Sequence, residues 1–160
     1  MRIESPDTDA ADELADAWVD LARGQRDHGA HLLADDNRSQ IRESILQHLV
    51  TDGVRVARGA DDALLGFVMF APESTQYEQD VRRGVVQNLY VAPDHRSEGI
   101  GAALLDVAEA ALAEKGVDVV SLEVMADNER AREFYAAQGY GSHRVALEKP
   151  LESDNDSSEN

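Results

Sequence analysis

The run Arg96-Ser97-Glu98-Gly99-Ile100-Gly101, followed by Ala102, joins an apolar stretch to a segment rich in alanine and leucine, and its residue types suit an anion. A strand that feeds a helix through glycines leaves backbone N–H groups unpaired at the positive end of a helix dipole, where phosphate binds readily. Spacing separates the phosphate-binding classes. A dinucleotide fold asks for G-x-G-x-x-G, but Leu104 stands where the third glycine would allow close helix packing. A Walker loop ends in Gly-Lys-Ser or Gly-Lys-Thr, whereas this chain reads Gly101-Ala102-Ala103. What remains is R-x-x-G-x-G after a strand.

Other residues could do chemistry beside such a loop. Asn128 and Tyr135 are nearly two helical turns apart, on one face, about 10 Å along the axis. Asn128 also suits a helix N-cap, and Tyr135 a core position with a satisfied hydroxyl. Alternation along "VVSLEVM" sets Ser121, Glu123 and Met125 on one strand face, with Val120, Leu122 and Val124 on the other. Glu123 is thus expected to interrupt a buried strand, which is costly unless the carboxylate is paired, hydrated or functional. His28 and His31 form His-x-x-His without a third ligand, so no metal site is expected. With no cysteine and no G-x-S-x-G, an acyl-enzyme is disfavoured and direct attack on a bound donor is expected.

These groups need elements to hold them. "RIESP" reads as a short first strand, and "DTDAADELADAWVDLARG" as an amphipathic helix through Leu14, Trp18 and Leu21, closing on Gly24. "RSQIRESILQHLVTDG" repeats the pattern through Ile41, Ile45, His48 and Leu49. "VRVARG" and "ALLGFVMFAPE" form a hairpin, and "VVQNLYVAP" a central strand stopped by Pro93. A helix from Gly99 ends at Lys115-Gly116, "VDVVSLEVM" is the next strand, "NERAREFYAAQ" a helix ended by Gly139, and "SHRVALEKPL" a final strand. The order β, α, α, β, β, β, α, β, α, β suits an α/β (α+β) domain over residues 1–150, with a mixed sheet covered by helices. Residues 151–160, acidic and nearly devoid of apolar side chains, read as a solvated tail.

In this context R-x-x-G-x-G resembles the pyrophosphate loop of the GNAT superfamily of acetyl-coenzyme A dependent N-acetyltransferases. "NERAREFYAAQGY", Asn128 to Tyr140, is similar to the family's other hallmark: Asn, Ala three on, Phe-Tyr, then Gly and an aromatic. The resemblance spans about Val85 to Tyr140 and implies a mostly antiparallel mixed sheet with about four flanking helices. It also implies acetyl-coenzyme A as cosubstrate. The pyrophosphate would lie on the backbone of Arg96, Ser97, Glu98, Gly99, Ile100, Gly101 and Ala102, and the pantetheine arm on the main chain of Leu89, Tyr90 and Val91.

By the same resemblance Asn128 would contact the arm and Tyr135 would be the general acid. Glu123, in an "LEV" strand twelve residues before the tyrosine, would be the base as in relatives that acetylate protein amino termini; a structural salt bridge is the alternative. Met125 departs from those relatives, which carry a basic residue there. The region of His28 and His31 would shape the acceptor pocket, with Asn88 on the neighbouring strand. The implied reaction acetylates a primary amine, with a small molecule ahead of a protein amino terminus or lysine, and a non-catalytic acetyl-coenzyme A sensor is the alternative. Dimerisation is common in that family, so a homodimer is compatible, although the sequence carries no decisive interface signature.

Composition bounds partners. In 160 residues, Asp+Glu number 32 against 15 for Lys+Arg, a formal net charge of −17, and Lys115 and Lys149 are the only lysines. No basic stripe exists to displace phosphate counterions, so a nucleic-acid partner is not expected. Acidic excess with little lysine resembles proteins of a high-salt cytoplasm. No apolar window approaches the length of a membrane span and the amino terminus has no signal-like core, so a cytoplasmic protein without a membrane partner is expected.

Overall fold

The computed structural model of the chain describes residues 1–152. Five strands form one sheet in sequence order: β1 (Arg2–Glu4), β2 (Val54–Arg58), β3 (Leu64–Pro72), β4 (Arg83–Val91) and β5 (Val119–Ser121). The first four are antiparallel neighbours, and β5 joins β4 in parallel. Helices α1 (Ala11–Arg26) and α2 (Arg38–Val50) cover one face, while α3 (Ile100–Glu114) covers the other with α4 (Glu129–Ala137) against it. This is an α+β fold with a mixed, mostly antiparallel sheet.

Periodicity explains the two cores. Leu14, Trp18 and Ile45 pack with Val56, Phe67, Met69 and Tyr90 on the α1–α2 face. Leu104, Leu105, Ala108 and Leu112 of α3 pack with Val68, Phe70 and Val86 on the opposite face. α1 does not close on Gly24 but continues to Arg26, because a glycine inside a helix costs only about 1 kcal/mol. The preceding single turn at Thr8–Ala10 is capped by Asp7, whose side chain accepts from the Asp9 N–H at 2.9 Å.

Three expectations fail at the carboxyl-terminal side. β5 pairs only over Val119–Ser121, and residues 122–125 continue without a strand partner. Glu123 is therefore exposed and does not interrupt a buried strand. The expected final strand does not form: residues 141–152 are exposed and carry no regular structure. The remainder of the expected tail, residues 153–160, lies outside the described residues.

Candidate active site

The site is built around an interruption in β4. Met69 pairs with Asn88 but Phe70 pairs with Val86, so Gln87 is an extra residue, a β-bulge. The insertion resets the alternation. Val86 faces α3, whereas Asn88, opposite Met69, and Tyr90, opposite Phe67, face α1 and α2. Pairing with β5 stops at Val85–Ser121, directly before the bulge. Beyond it β4 keeps its partner on the β3 side only, so outward-facing backbone groups of Leu89, Tyr90 and Val91 lack a strand partner among the described residues.

The chain leaves β4 through a single turn at Pro93–His95 and enters α3 at Gly99. Ser97 (φ 69°) and Gly99 (φ 84°) are both left-handed, which bends the backbone tightly; Gly99 takes this conformation freely, whereas Ser97 is strained by it. No side chain caps α3, so the N–H groups of its first turn face outward unclaimed by a capping residue. A Cβ on Gly99 would meet nothing within 4 Å, whereas one on Gly101 would come within 3.3 Å of the Phe134 ring. The two glycines therefore serve different ends: the first shapes the loop, and the second lets α4 approach α3. The Arg96 Nε donates to the Val91 carbonyl at 3.2 Å, tying the loop back to the end of β4.

α4 supplies the next groups. The Asn128 side chain accepts from the Ala131 N–H at 3.1 Å, so it caps the helix. Tyr135 sits against the α3-side core, its ring 5.1 Å from Phe134 and 6.0 Å from Tyr140. Burial alone pushes its phenol up, which keeps it protonated. Burial and the Glu109 carboxylate raise the Tyr140 phenol, whose hydroxyl donates to Glu109 Oε2 at 2.5 Å. Tyr90, raised mainly by burial and by nearby Asp20, projects instead into the α1–α2 core.

The loop between α1 and α2 meets the β5–α4 junction. His28 Nδ1 lies 3.1 Å from Asp127 Oδ1, next to Asn128, and a Cβ on Gly29 would lie 3.9 Å from Met125 Cε. His31 is separate: its Nε2 lies 2.8 Å from Glu148 Oε1, at a cleft of about 540 Å³ shared with Lys149 and Pro150. The histidines thus engage different carboxylates. The structure brings His28 to the same junction as Asn128, and places Asn88 on the α1–α2 face. Asp127 was missed in the sequence because its contact spans 99 positions, and only the neighbouring Asn128 hinted at that junction.

An uncapped helix start beside a glycine loop, an unpaired stretch of β4 and a protonated tyrosine together fit an extended donor with an anionic end. Among the described residues no helix is long and apolar enough to cross a membrane. An uncharacterised N-acetyltransferase from Archaeoglobus fulgidus is 32% identical over 138 residues, covering 86% of this chain and 91% of that protein. A mutant Bacillus halodurans protein of known structure superposes with a TM-score of 0.81 at 17% identity, covering 94% of this chain and 99% of that one. The PaiA N-acetyltransferase from Thermoplasma acidophilum, solved in complex with coenzyme A, superposes with a TM-score of 0.72 at 18% identity, over 91% of this chain and 92% of that one. The profile of the Acetyltransferase (GNAT) family matches residues 11–140, and the chain belongs to that family of N-acetyltransferases.

Proposed function

We propose that the protein moves the acetyl group of acetyl-coenzyme A to a small primary amine by direct attack in a ternary complex. The observation that carries this reading is Tyr135, a phenol held protonated by burial on the helix that packs against the glycine-loop end of α3. The uncapped first turn of α3, with the Arg96 to Ala102 backbone, would hold the pyrophosphate. Leu89, Tyr90 and Val91 would hydrogen-bond the pantetheine arm as an added strand. The side-chain oxygen of Asn128 is engaged in the cap, which leaves its amide N–H groups for the arm.

The reaction needs a neutral amine and a proton for the departing thiolate. The amine nitrogen forms the new C–N bond to the thioester carbonyl carbon as the C–S bond breaks. Tyr135 gives its proton to the sulfur, and Glu123 takes one from the amine through water. The exposure of Glu123 is compatible with that relay, since an exposed carboxylate is hydrated. The His28–Asp127 contact at the β5–α4 junction would border the acceptor, which favours a compact amine over an extended peptide, and the carboxylates of Glu123 and Asp127 would favour a cation. Relatives bear names that specify acceptors as different as mycothiol and a ribosomal-protein alanine, so family membership alone leaves the acceptor open.

Thiol release against a panel of amines, amino acids and peptides tests the reading. Tyr135→Phe should lower kcat roughly 10²-fold or more while coenzyme A affinity changes only a few-fold. Full activity in Tyr135→Phe would remove it as the acid. Tight acetyl-coenzyme A binding with no turnover on any amine would leave a sensor module instead. Glu123→Gln should lower kcat/KM roughly 10²-fold while coenzyme A affinity changes only a few-fold, and a variant as active as the parent would remove Glu123 as the base.

A further inference from the structure

Side-chain amines are scarce in this chain. Lys+Arg number 15, but only Lys115 and Lys149 are lysines, and arginine, always protonated, is no nucleophile. The two lysines stand in opposite circumstances. Lys115 ends α3, where its Nζ donates to the Thr51 carbonyl at 3.4 Å and lies 5.8 Å from the centre of the Phe70 ring, on the α3 side of the sheet. Lys149 lies among residues 141–152, which are exposed and carry no regular structure. Among the described residues its amine makes no hydrogen bond or ion pair, and the adjacent carboxylate, Glu148, is turned to His31 instead.

That contact fixes where the amine is delivered. Arg26, at the end of α1, donates to the His31 carbonyl at 2.9 Å and to the Leu32 carbonyl at 3.2 Å, so His31 stands on a braced loop. Three residues earlier the same loop meets the β5–α4 junction, through His28 and Asp127 at 3.1 Å and through Gly29 beside Met125. His31 and Glu148 line a cleft of about 540 Å³ together with Lys149 and Pro150. At its other end the segment leaves Tyr140, which is fixed to Glu109 on α3. Held at both ends, it carries its single lysine to the loop that borders the acceptor. A lysine offers such an opening only a narrow, unbranched stem and a terminal amine.

We propose that Lys149 is an acetylation site of the protein's own activity, its amine entering the acceptor end of the site within the same molecule. The inference rests on the reaction proposed above. The neutral Lys149 Nζ forms the new C–N bond to the thioester carbonyl carbon as the C–S bond breaks. Tyr135 gives its proton to the sulfur, and a proton of the amine passes through water to Glu123. Tethering presents the amine at an effective concentration in the range of about millimolar, with no free acceptor needed. The product amide carries no charge and cannot attack again, so each molecule reacts once.

Incubation of the full chain with acetyl-coenzyme A and no added amine tests this. Peptide mass spectrometry should find an acetyl group on Lys149 and none on Lys115, and the fraction modified per unit time should not change on dilution. Glu148→Ala releases the segment from His31 and should slow the modification about tenfold, while turnover of an added small amine stays within a few-fold. Both side chains are exposed, so folding is not at stake. Lys149 left unmodified by an enzyme that acetylates added amines would overturn the proposal and leave the reaction standing, whereas no acetylation of either would remove the reaction as well. The proposal also fails if the fractional rate falls on dilution, which marks transfer between molecules, or if Glu148→Ala modifies Lys149 as fast as the parent. A rate no greater than that of the urea-unfolded chain would mark uncatalysed chemistry and overturn it equally.

Discussion

Tyr140 shows how one side chain can fix the exit of a helix. Its hydroxyl donates to Glu109 while its N–H donates to the Tyr135 carbonyl at 3.0 Å, so α4 is bound to α3 at its carboxyl end. Because the phenols of Tyr140 and Tyr135 are raised in the folded chain, their contribution to stability is complete below the unfolded tyrosine pKa, about 10, and declines as pH rises beyond it. Tyr140→Phe should lower stability at pH 7 by about 1–2 kcal/mol, the middle of the range for a partly exposed bond to a charged acceptor, and flatten the alkaline decline. Denaturant unfolding at pH 7 and pH 11 measures both, and an unchanged alkaline slope would show that the decline has another source. The glycines separate in the same way. Gly99→Ala meets no atom but must take a left-handed φ, at a cost of about 1–2 kcal/mol, whereas Gly101→Val must displace Phe134. Coenzyme A titration calorimetry should find both variants weakened, the second together with a shift of the α4 aromatic signals. Both glycines were legible in the sequence as a pair, yet their different tasks were not, because Phe134 lies 33 positions away from Gly101.

At the scale of elements, what local chemistry determines was readable and what a distant edge determines was not. The helices followed from apolar spacing, and the α4 cap from Asn128 itself. Alternation in "VVSLEVM" put Val120, Leu122 and Val124 on one face, and the structure packs the first two against the α3-side core while Val124 is exposed. The pattern could not reveal that pairing stops at Ser121, opposite Val85 and just before the bulge at Gln87 on another strand. Glu123 consequently emerged at the surface. The same reasoning covers residues 142–151: their apolar side chains alternate, but among the described residues no strand edge pairs with them. The bulge is open to a direct test. Deleting Gln87 would restore regular alternation and turn either Val86 or Asn88 and Tyr90 to the wrong face, burying an amide or exposing an aromatic. The deletion should lower the melting temperature by several degrees and abolish coenzyme A binding. A variant that melts and binds like the parent chain would show that the opening beside β5 does not depend on the bulge.

Across the whole molecule, attraction is local and repulsion is long-ranged. Arginines meet carboxylates at close quarters, as in Arg42–Asp12 at 2.7 Å, Arg38–Asp16 at 2.8 Å and Arg58–Glu13 at 2.8 Å. A hydrogen bond and the charge of Arg42 hold the Asp12 carboxyl below its ordinary range, so that contact favours the fold above the unfolded pKa and is lost on acidification. Exposed pairs of this kind contribute little singly, and a net charge of −17 remains uncompensated. The Debye length shrinks from about 30 Å at 0.01 M salt to about 3 Å at 1 M, which screens charges spread over a surface far more than ions in contact. Salt should therefore stabilise the fold, and the unfolding midpoint should rise steadily over that range. Two variants separate net charge from local contacts. Glu78 and Glu133 are exposed, one in the loop before β4 and one on α4. Glu78→Gln with Glu133→Gln should raise the midpoint at 0.01 M and leave it nearly unchanged at 1 M, whereas Asp12→Asn should lower it at 0.01 M by removing the partner of Arg42. A midpoint that stays flat from 0.01 M to 1 M would show that the acidic surface does not oppose the fold.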